Sequence, residues 1–508
     1  MALLIGLDLG TTTIKAALLD TTQGRIVRVA ARPTPTSHPR PEWSEHDPEA
    51  FWQAAAACLK EIAPALEGRP VAGLAISSLA EAGLPLDSSG QPLYPIIAWY
   101  DRRSEPQAAW VEQQIPVAAL YEITGQRAST SFSITKILWL RQNAPEAYAR
   151  MTHWLPVSSY ILYRLCGAAA TDYTIAARTL LFDQSSLAWS EPLLKTFDLD
   201  SKLLPQPYPG GTQAGRLTGP AAAQTGLPDG IPCCLGGHDH LCAALASGAV
   251  QPGAVADSTG SAEALIFLLS RFLPNPALAE GGFACYAYLL PGVFALKGGL
   301  KAAGNAIEWL ARQISGPGAP DYPTLEAEAR AGVGIQAGPL WLPHLIGSGS
   351  PQADRAGRAA LIGARFEHTR GDLFRAMLEG LACWTRHNLE VMSAFTGLPY
   401  QSFTLTGGTT RLHLLSQLKA DLLNCPVTVP EIPEGAAAGA ALLAGLGVGL
   451  FASPAEAASV LAYPRTRFEP DPARAAWYDC LYREVYQPLY ASLRATNQAL
   501  EDLSSLNR

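Results

Sequence analysis

Apolar and polar positions alternate in short bursts at the start of the chain. Leu3–Leu9 is almost wholly apolar, Gly10-Thr11-Thr12-Thr13 is a small polar turn, and Ile14–Leu19 is apolar again. Asp20-Thr21-Thr22-Gln23-Gly24 then turns into Arg25–Ala31. Short apolar runs broken by Gly, Asp and Thr predict antiparallel hairpins. At Asp47-Pro48 the period changes. An N-cap aspartate with proline at the first helical position opens a helix through about Ile62, with Phe51, Trp52, Ala55 and Leu59 on one face. Val71–Ser77 and Leu84–Asp87 read as strands, and the stretch from Glu105 to Arg164 as mainly helical.

Further on, Ile231–Leu235 predicts a strand leading into a Gly236-Gly237-His238-Asp239 loop, with a helix from Leu241. Ala254–Asp257, the turn Ser258-Thr259-Gly260-Ser261 and Ala262–Leu269 repeat the opening pattern of apolar strand, Asp, small-residue turn and apolar strand. That repetition predicts a structural duplication: a first domain over 1–246, a second over 247–451, and a helical tail over 452–508 packed on the body. Ala436–Phe451 is uncharged and rich in Ala, Gly and Leu. It is shorter than the roughly 20 residues that span a bilayer, so it predicts a buried, closely packed helix.

A length of 508 residues supports this division, because one hydrophobic core rarely serves more than roughly 250 residues. With 48% apolar and 16% charged residues, the chain has the make-up of a soluble globular protein. A net charge of -7 without a Lys/Arg stripe argues against nucleic acid or an anionic membrane as partner. The nine cysteines are scattered with no C-x-x-C pair, which points away from a disulfide framework and toward a reducing, cytoplasmic setting. Met1–Asp8 has no basic region and meets a carboxylate too early for a signal peptide.

The chemistry-bearing candidates sit at the turns. Glycine lets backbone N–H groups converge on an anion, so Gly10, Thr11, Thr12 and Thr13 fit a phosphate cradle, with Lys15 as a cation beside it. An ordinary hairpin turn with a solvated lysine is the plain alternative. Asp8, at the end of an apolar strand, could hold Mg²⁺ or orient substrate, or simply cap the turn. Asp239 follows a buried strand, where side chains face a crevice, and could be a catalytic base, a helix cap or, with His238 and His240, part of a metal site. Gly407-Gly408 before a helix is a further phosphate candidate. No Walker motif or dinucleotide fingerprint is present.

Taken in order, these motifs resemble the FGGY family of carbohydrate kinases, within the actin-like ATPase superfamily. Asp8–Lys15 looks like its first phosphate loop, and Ser131–Asn143 fits its N-terminal signature. Gly236–Asp239 is similar to the loop with the catalytic aspartate, and Asp257–Ser261 to the second phosphate loop. Gly304–Leu310, Gly371–Glu390 and Thr406–Gly408 resemble the nucleotide-side helix, the C-terminal signature and the adenosine loop.

The resemblance implies an α/β fold of two actin-like (ribonuclease H-like) domains around a central cleft. ATP and Mg²⁺ would be the cofactors and a small sugar or polyol the acceptor; a homodimer is compatible. It implies Asp239 as catalytic base and metal ligand with Asp8. Thr259, Gly260, Gly304, Glu308, Gly407 and Gly408 would join the first turn in holding nucleotide. Asp8, Ala80, Glu81, Asp101, Arg103 and Asp239 would contact the sugar, Ala80-Glu81-Ala82 standing where xylulose kinases carry Met-His-Gly. The alternatives are an actin-like ATPase or a sugar-binding sensor without kinase activity.

Overall fold

In the computed structural model, residues 2–316, 318–331 and 338–505 are described. The opening hairpins form as their pattern predicts: β1 (Leu3–Leu9), β2 (Thr13–Asp20) and β3 (Arg25–Pro33) are consecutive antiparallel strands. Helix α1 (Pro48–Ile62) starts at Asp47, whose carboxylate accepts from the Ala50 N–H at 2.7 Å. It buries Phe51, Trp52, Ala55 and Leu59 against one face of β1. The chain returns through β4 (Val71–Ser78), parallel to β1. After α2 (Val157–Cys166) it adds β5 (Gln213–Arg216) and β6 (Pro232–His238), the latter parallel to β4.

A sheet of order β5-β6-β4-β1-β2-β3 results. Helix α3 (Asp239–Ser247) follows β6 without a break. The Gly236–Asp239 loop expected from sequence is therefore strand and helix start. Its glycines serve close approach: a Cβ on Gly236 would lie 2.1 Å from the Ile76 carbonyl oxygen, and one on Gly237 2.1 Å from Leu289 Cδ2.

The second half repeats the design. Strands β7 (Ala254–Thr259), β8 (Glu263–Leu269), β9 (Ala284–Ala287) and β10 (Phe294–Leu300) are followed by α4 (Gly304–Ile314) and α5 (Arg370–Thr396). Then come β11 (Ser402–Thr406), α6 (His413–Leu423), β12 (Val427–Pro430) and α7 (Gly435–Gly447). The sheet runs β9-β10-β8-β7-β11-β12-β13, closed by β13 (Arg465–Phe468). The segment beyond 451 is thus not purely helical. Its helices at Pro472–Leu481 and Gln487–Ser505 carry Tyr478 and Tyr490, and the π-helical turn Tyr482–Tyr486 between them carries Tyr482, into the core formed with α5. The inner order β3-β2-β1-β4-β6 matches β10-β8-β7-β11-β12, with the same parallel and antiparallel pairings.

Helices α3 and α7, each following the last inner strand of its half, meet between the lobes. Helix α7 lies on β1 and α3 at backbone contact distance. A Cβ on Gly6 would fall 1.8 Å from the Ala437 carbonyl oxygen, and one on Gly439 1.9 Å from that of Cys242. The Ala/Gly/Leu composition is a packing requirement, and among the described residues no helix is long and apolar enough to cross a membrane. Gly6→Ala should cost about 1–3 kcal/mol of stability, as overpacking of a rigid backbone contact does. Chemical denaturation checks this, and an unchanged midpoint would contradict the seam.

Candidate active site

Alternation along β1 decides what reaches the cleft. Leu3, Ile5, Leu7 and Leu9 face α1, so Leu4, Gly6 and Asp8 face α3 and α7. Asp8 Oδ1 accepts from Ser77 Oγ at 3.0 Å, and Lys15 stands opposite Asp8 across the hairpin. Lys15 Nζ lies 2.6 Å from Oε2 of Glu434, the residue before α7. In the turn between, the Gly10 N–H donates to the Thr13 carbonyl at 3.1 Å, and the Thr34 N–H to that of Thr12 at 3.0 Å. Trp99, half-exposed, overhangs the turn and donates from Nε1 to Thr11 Oγ1 at 3.0 Å.

Parallel pairing sets His238 beside Ser78, and Ser77 beside Asp8, on one sheet edge. The next residue, Asp239, is the first of α3 and keeps a partly exposed carboxylate. It does not cap the helix; its Oδ1 accepts from the His240 N–H at 2.7 Å. His238 Nε2 sits 3.3 Å from the same oxygen. Burial drives the His238 pKa well below its ordinary 6.5, so a neutral imidazole steers Asp239 without cancelling its charge. Ligand atoms of His238, Asp239 and His240 all lie within 4.8 Å of one another, closer than their sequence spacing alone indicates.

Asp8 feels the charge of Asp239. The Asp8 pKa is raised from 3.8 to about 7, first by burial and then by the Asp239 charge, against the opposing Ser77 hydrogen bond and Lys15. Two facing carboxylates on this edge suit a divalent cation, which would relieve both burial and repulsion.

Glu81 adopts φ +66°, in the left-handed region. Its carbonyl accepts from Lys136 Nζ at 2.9 Å, and the same ammonium donates to the Ser131 carbonyl. Lys136 is fully buried, which lowers its pKa to about 7. The Glu81 carboxylate pairs through Oε1 with Nε (2.6 Å) and Nη2 of Arg178, whose Nη1 donates to Gln126 Oε1. Ala80 is buried, its carbonyl accepting from the Ala82 N–H at 2.9 Å. Lys136 falls within the Ser131–Asn143 signature, whereas Arg178, Gln126 and Lys297 carry no local motif that marks them in the sequence as neighbours of this pocket.

Asp101 and Arg103 are a correction. They are not sugar ligands open to the cleft. Their side chains pair at 2.7 Å with 0% exposure on either side. Arg103 also binds Glu45 Oε1 at 2.6 Å and stacks 3.8 Å over Trp43, while Asp101 Oδ2 accepts from the Ser44 N–H at 2.6 Å. With every charge satisfied internally, this network braces the segment that carries Trp99.

On the second sheet, Gly260, Gly304 and Gly407 converge. The Gly304 N–H donates to the Gly260 carbonyl at 2.9 Å, and a Cβ on Gly407, at φ +99°, would meet the Thr259 carbonyl oxygen at 2.3 Å. Gly408 follows with open space around it. Thr259 differs from expectation: its hydroxyl is buried and donates inward to Asp257 Oδ1 at 3.0 Å, leaving only its backbone at the turn. Beneath it, buried Lys419 binds Asp257 and, at 2.8 Å, Glu263. Glu308 lies on the exposed face of α4, paired with Arg312 at 2.6 Å.

The Asp8 shift has a consequence for stability. The folded carboxyl holds its proton to about 7, whereas an unfolded one releases it near 3.8. Over that window the folded state binds more protons, so stability falls as pH rises. In metal-free protein, Asp8→Asn should melt a few degrees above the parent at about pH 8 and close to it at about pH 4. Calorimetric melts check this; equal differences at both pH values would contradict it.

Residues 3–246 match the N-terminal domain of the FGGY family of carbohydrate kinases, and residues 261–448 match its C-terminal domain. The chain is 30% identical to the xylulose kinase of Escherichia coli (strain K12), over 96% of this chain and 99% of that one. It is equally similar, at 30%, to the glycerol kinase of Citrifermentans bemidjiense, over 93% of this chain and 95% of the relative. The crystal structure of xylulose kinase from Rhodospirillum rubrum superposes with a TM-score of 0.90 at 30% identity, covering 98% of this chain and 100% of that one. The duplicated lobes are thus the two-domain actin-like fold. With both halves matched in order over nearly its whole length, the chain belongs to the FGGY family of carbohydrate kinases.

Proposed function

We propose that this ATP-dependent carbohydrate kinase phosphorylates a primary hydroxyl of a ketose or a related sugar or polyol, with Asp239 as general base. The observation that carries this reading is the placement of Asp239 and Asp8 at one edge of the first sheet, near enough for the charge of one to act on the other, beside the Gly10–Thr13 turn. Similarity to xylulose and glycerol kinases supports the acceptor class.

Phosphoryl transfer asks little covalent chemistry of the protein; positioning and charge stabilisation do most of the work. Asp239, steered by neutral His238, accepts the hydroxyl proton as the acceptor oxygen forms its bond to the γ-phosphorus. The bond from that phosphorus to the bridging oxygen breaks, and ADP leaves. Backbone N–H groups of Thr11 and Thr12, in the turn closed by the Gly10–Thr13 bond, would face the transferring group, and Lys15 adds positive charge once shared between Glu434 and the phosphates. Gly260, Gly304, Gly407 and Gly408 provide the nucleotide side, and at Gly304 and Gly407 neighbouring carbonyls leave no room for a side chain. Asp8 and Asp239 would hold Mg²⁺, which when bound neutralises charge on the β- and γ-phosphates.

On the acceptor side, Glu81 differs in kind from a histidine. Its Oε1 is occupied by Arg178, while its Oε2 receives no hydrogen bond from described residues and is free to accept from an acceptor hydroxyl. Trp99 offers an apolar wall near the same turn.

Replacing Asp239 by Ala should lower kcat by about 10²–10⁴-fold, the usual worth of a positioned base. ATP affinity by titration calorimetry should change little. Parent-like turnover in that variant would overturn the assignment.

A further inference from the structure

Strand β10 sends alternate residues to opposite sides. A Cβ on Gly298 would meet Ser350 Oγ at 2.7 Å and Asn388 Oδ1 at 2.8 Å, so that face lies on α5. Ala295, of opposite parity, packs with Tyr286 and Leu289 in the core shared with α3 and α7. Lys297 takes the Ala295 side and so reaches toward the first lobe.

The charges around Lys297 are those of the acceptor pocket: Arg178 foremost, then Glu81 and Asp239. Lys297 in turn bears on His238 and His240. Among the described residues nothing hydrogen-bonds or ion-pairs with its ammonium. The nearby anions are already committed. Glu81 neutralises Arg178, and Asp239 is the base of the proposed reaction. A partly buried cation beside another cation, with no partner of its own, is costly, and burial lowers its pKa to about 8.

The second phosphate turn does not supply the missing partner. Lys297 pairs with Ile266, three residues along β8 from Glu263. At ~3.4 Å per residue this sets it ~10 Å from the second phosphate turn. Its charged neighbours come from the acceptor side.

We propose that Lys297 is a specificity residue that reads a carboxylate on the acceptor, so that the preferred substrate is a sugar acid of the aldonate class with its primary hydroxyl presented to Asp239. This rests on the kinase reading above. The carboxylate supplies the counter-charge that the protein withholds, and the ammonium donates charge-assisted hydrogen bonds to it. Glu81 Oε2, beside Arg178, accepts from a hydroxyl along the chain.

The test compares kcat and KM by coupled ADP release, with saturating ATP and Mg²⁺, for four- to six-carbon aldonates against ketoses and alditols of equal length. The parent enzyme should favour an aldonate. Lys297→Met should cut the aldonate-to-alditol preference by about 10- to 100-fold, the worth of one charge-assisted hydrogen bond, chiefly through the aldonate KM. Lys297→Arg should restore part of it. Turnover of ketoses or alditols but of no aldonate would overturn the inference and leave the kinase reading standing. Turnover of neither class would overturn both. An equal loss on every acceptor in Lys297→Met would also overturn it, since a bracing lysine has no reason to discriminate.

Discussion

Backbone meets backbone at the seam between the lobes, where the Ala437 carbonyl occupies the space that any side chain on Gly6 would need. Much else follows from that close approach. It forces glycine into β1 and small residues into α7, and it holds Glu434, at the start of α7, against Lys15. It also fixes the face of β1 on which Asp8 appears. A bulkier seam would separate the strand edge of the first lobe from the glycine cluster of the second.

The duplication is geometrically faithful but electrostatically uneven. Asp8 and Asp257 both precede the turn of their own half, yet Asp257 is neutralised by buried Lys419, while among the described residues Asp8 has Ser77 within hydrogen-bonding distance and Lys15 nearby. The second turn is therefore a rigid neutral cradle and the first a charged edge. This asymmetry suits a cleft in which one wall binds nucleotide and the other carries out proton and phosphoryl movement. Cations from separate elements, namely Lys15, Arg178 and Lys297, surround the carboxylates, and the distribution of their partners decides which remains available to a ligand.

Legibility in the sequence followed locality. The hairpins, the Asp47-capped helix and the buried Ala/Gly helix are set by neighbouring residues, and their pattern places the first two nearly to the residue and the third with its end four residues too late. Asp8 and Asp239 stand out in the sequence because each lies at the carboxyl end of a buried strand, Asp239 one residue past it. Gly236-Gly237 misled, since a glycine pair reads as a turn when its real cause is an approaching Ile76 carbonyl and Leu289 side chain. Asp101 and Arg103 were legible as a motif but not in their fate, because the partners that seal them, Trp43 and Glu45, lie far away in sequence. Arg178 and Lys297 carry no local signal at all. Only the folded arrangement brings them beside Glu81.

The central claim is that the cleft couples ATP cleavage to an acceptor held on the first lobe. The most direct measurement follows ADP and phosphorylated product together, with the purified protein, ATP and Mg²⁺, with and without a sugar or polyol acceptor. The account requires ADP to accumulate with acceptor at one equivalent per phosphorylated product and to stay near background without it. ADP formation at the same rate whether or not any acceptor is present would contradict it.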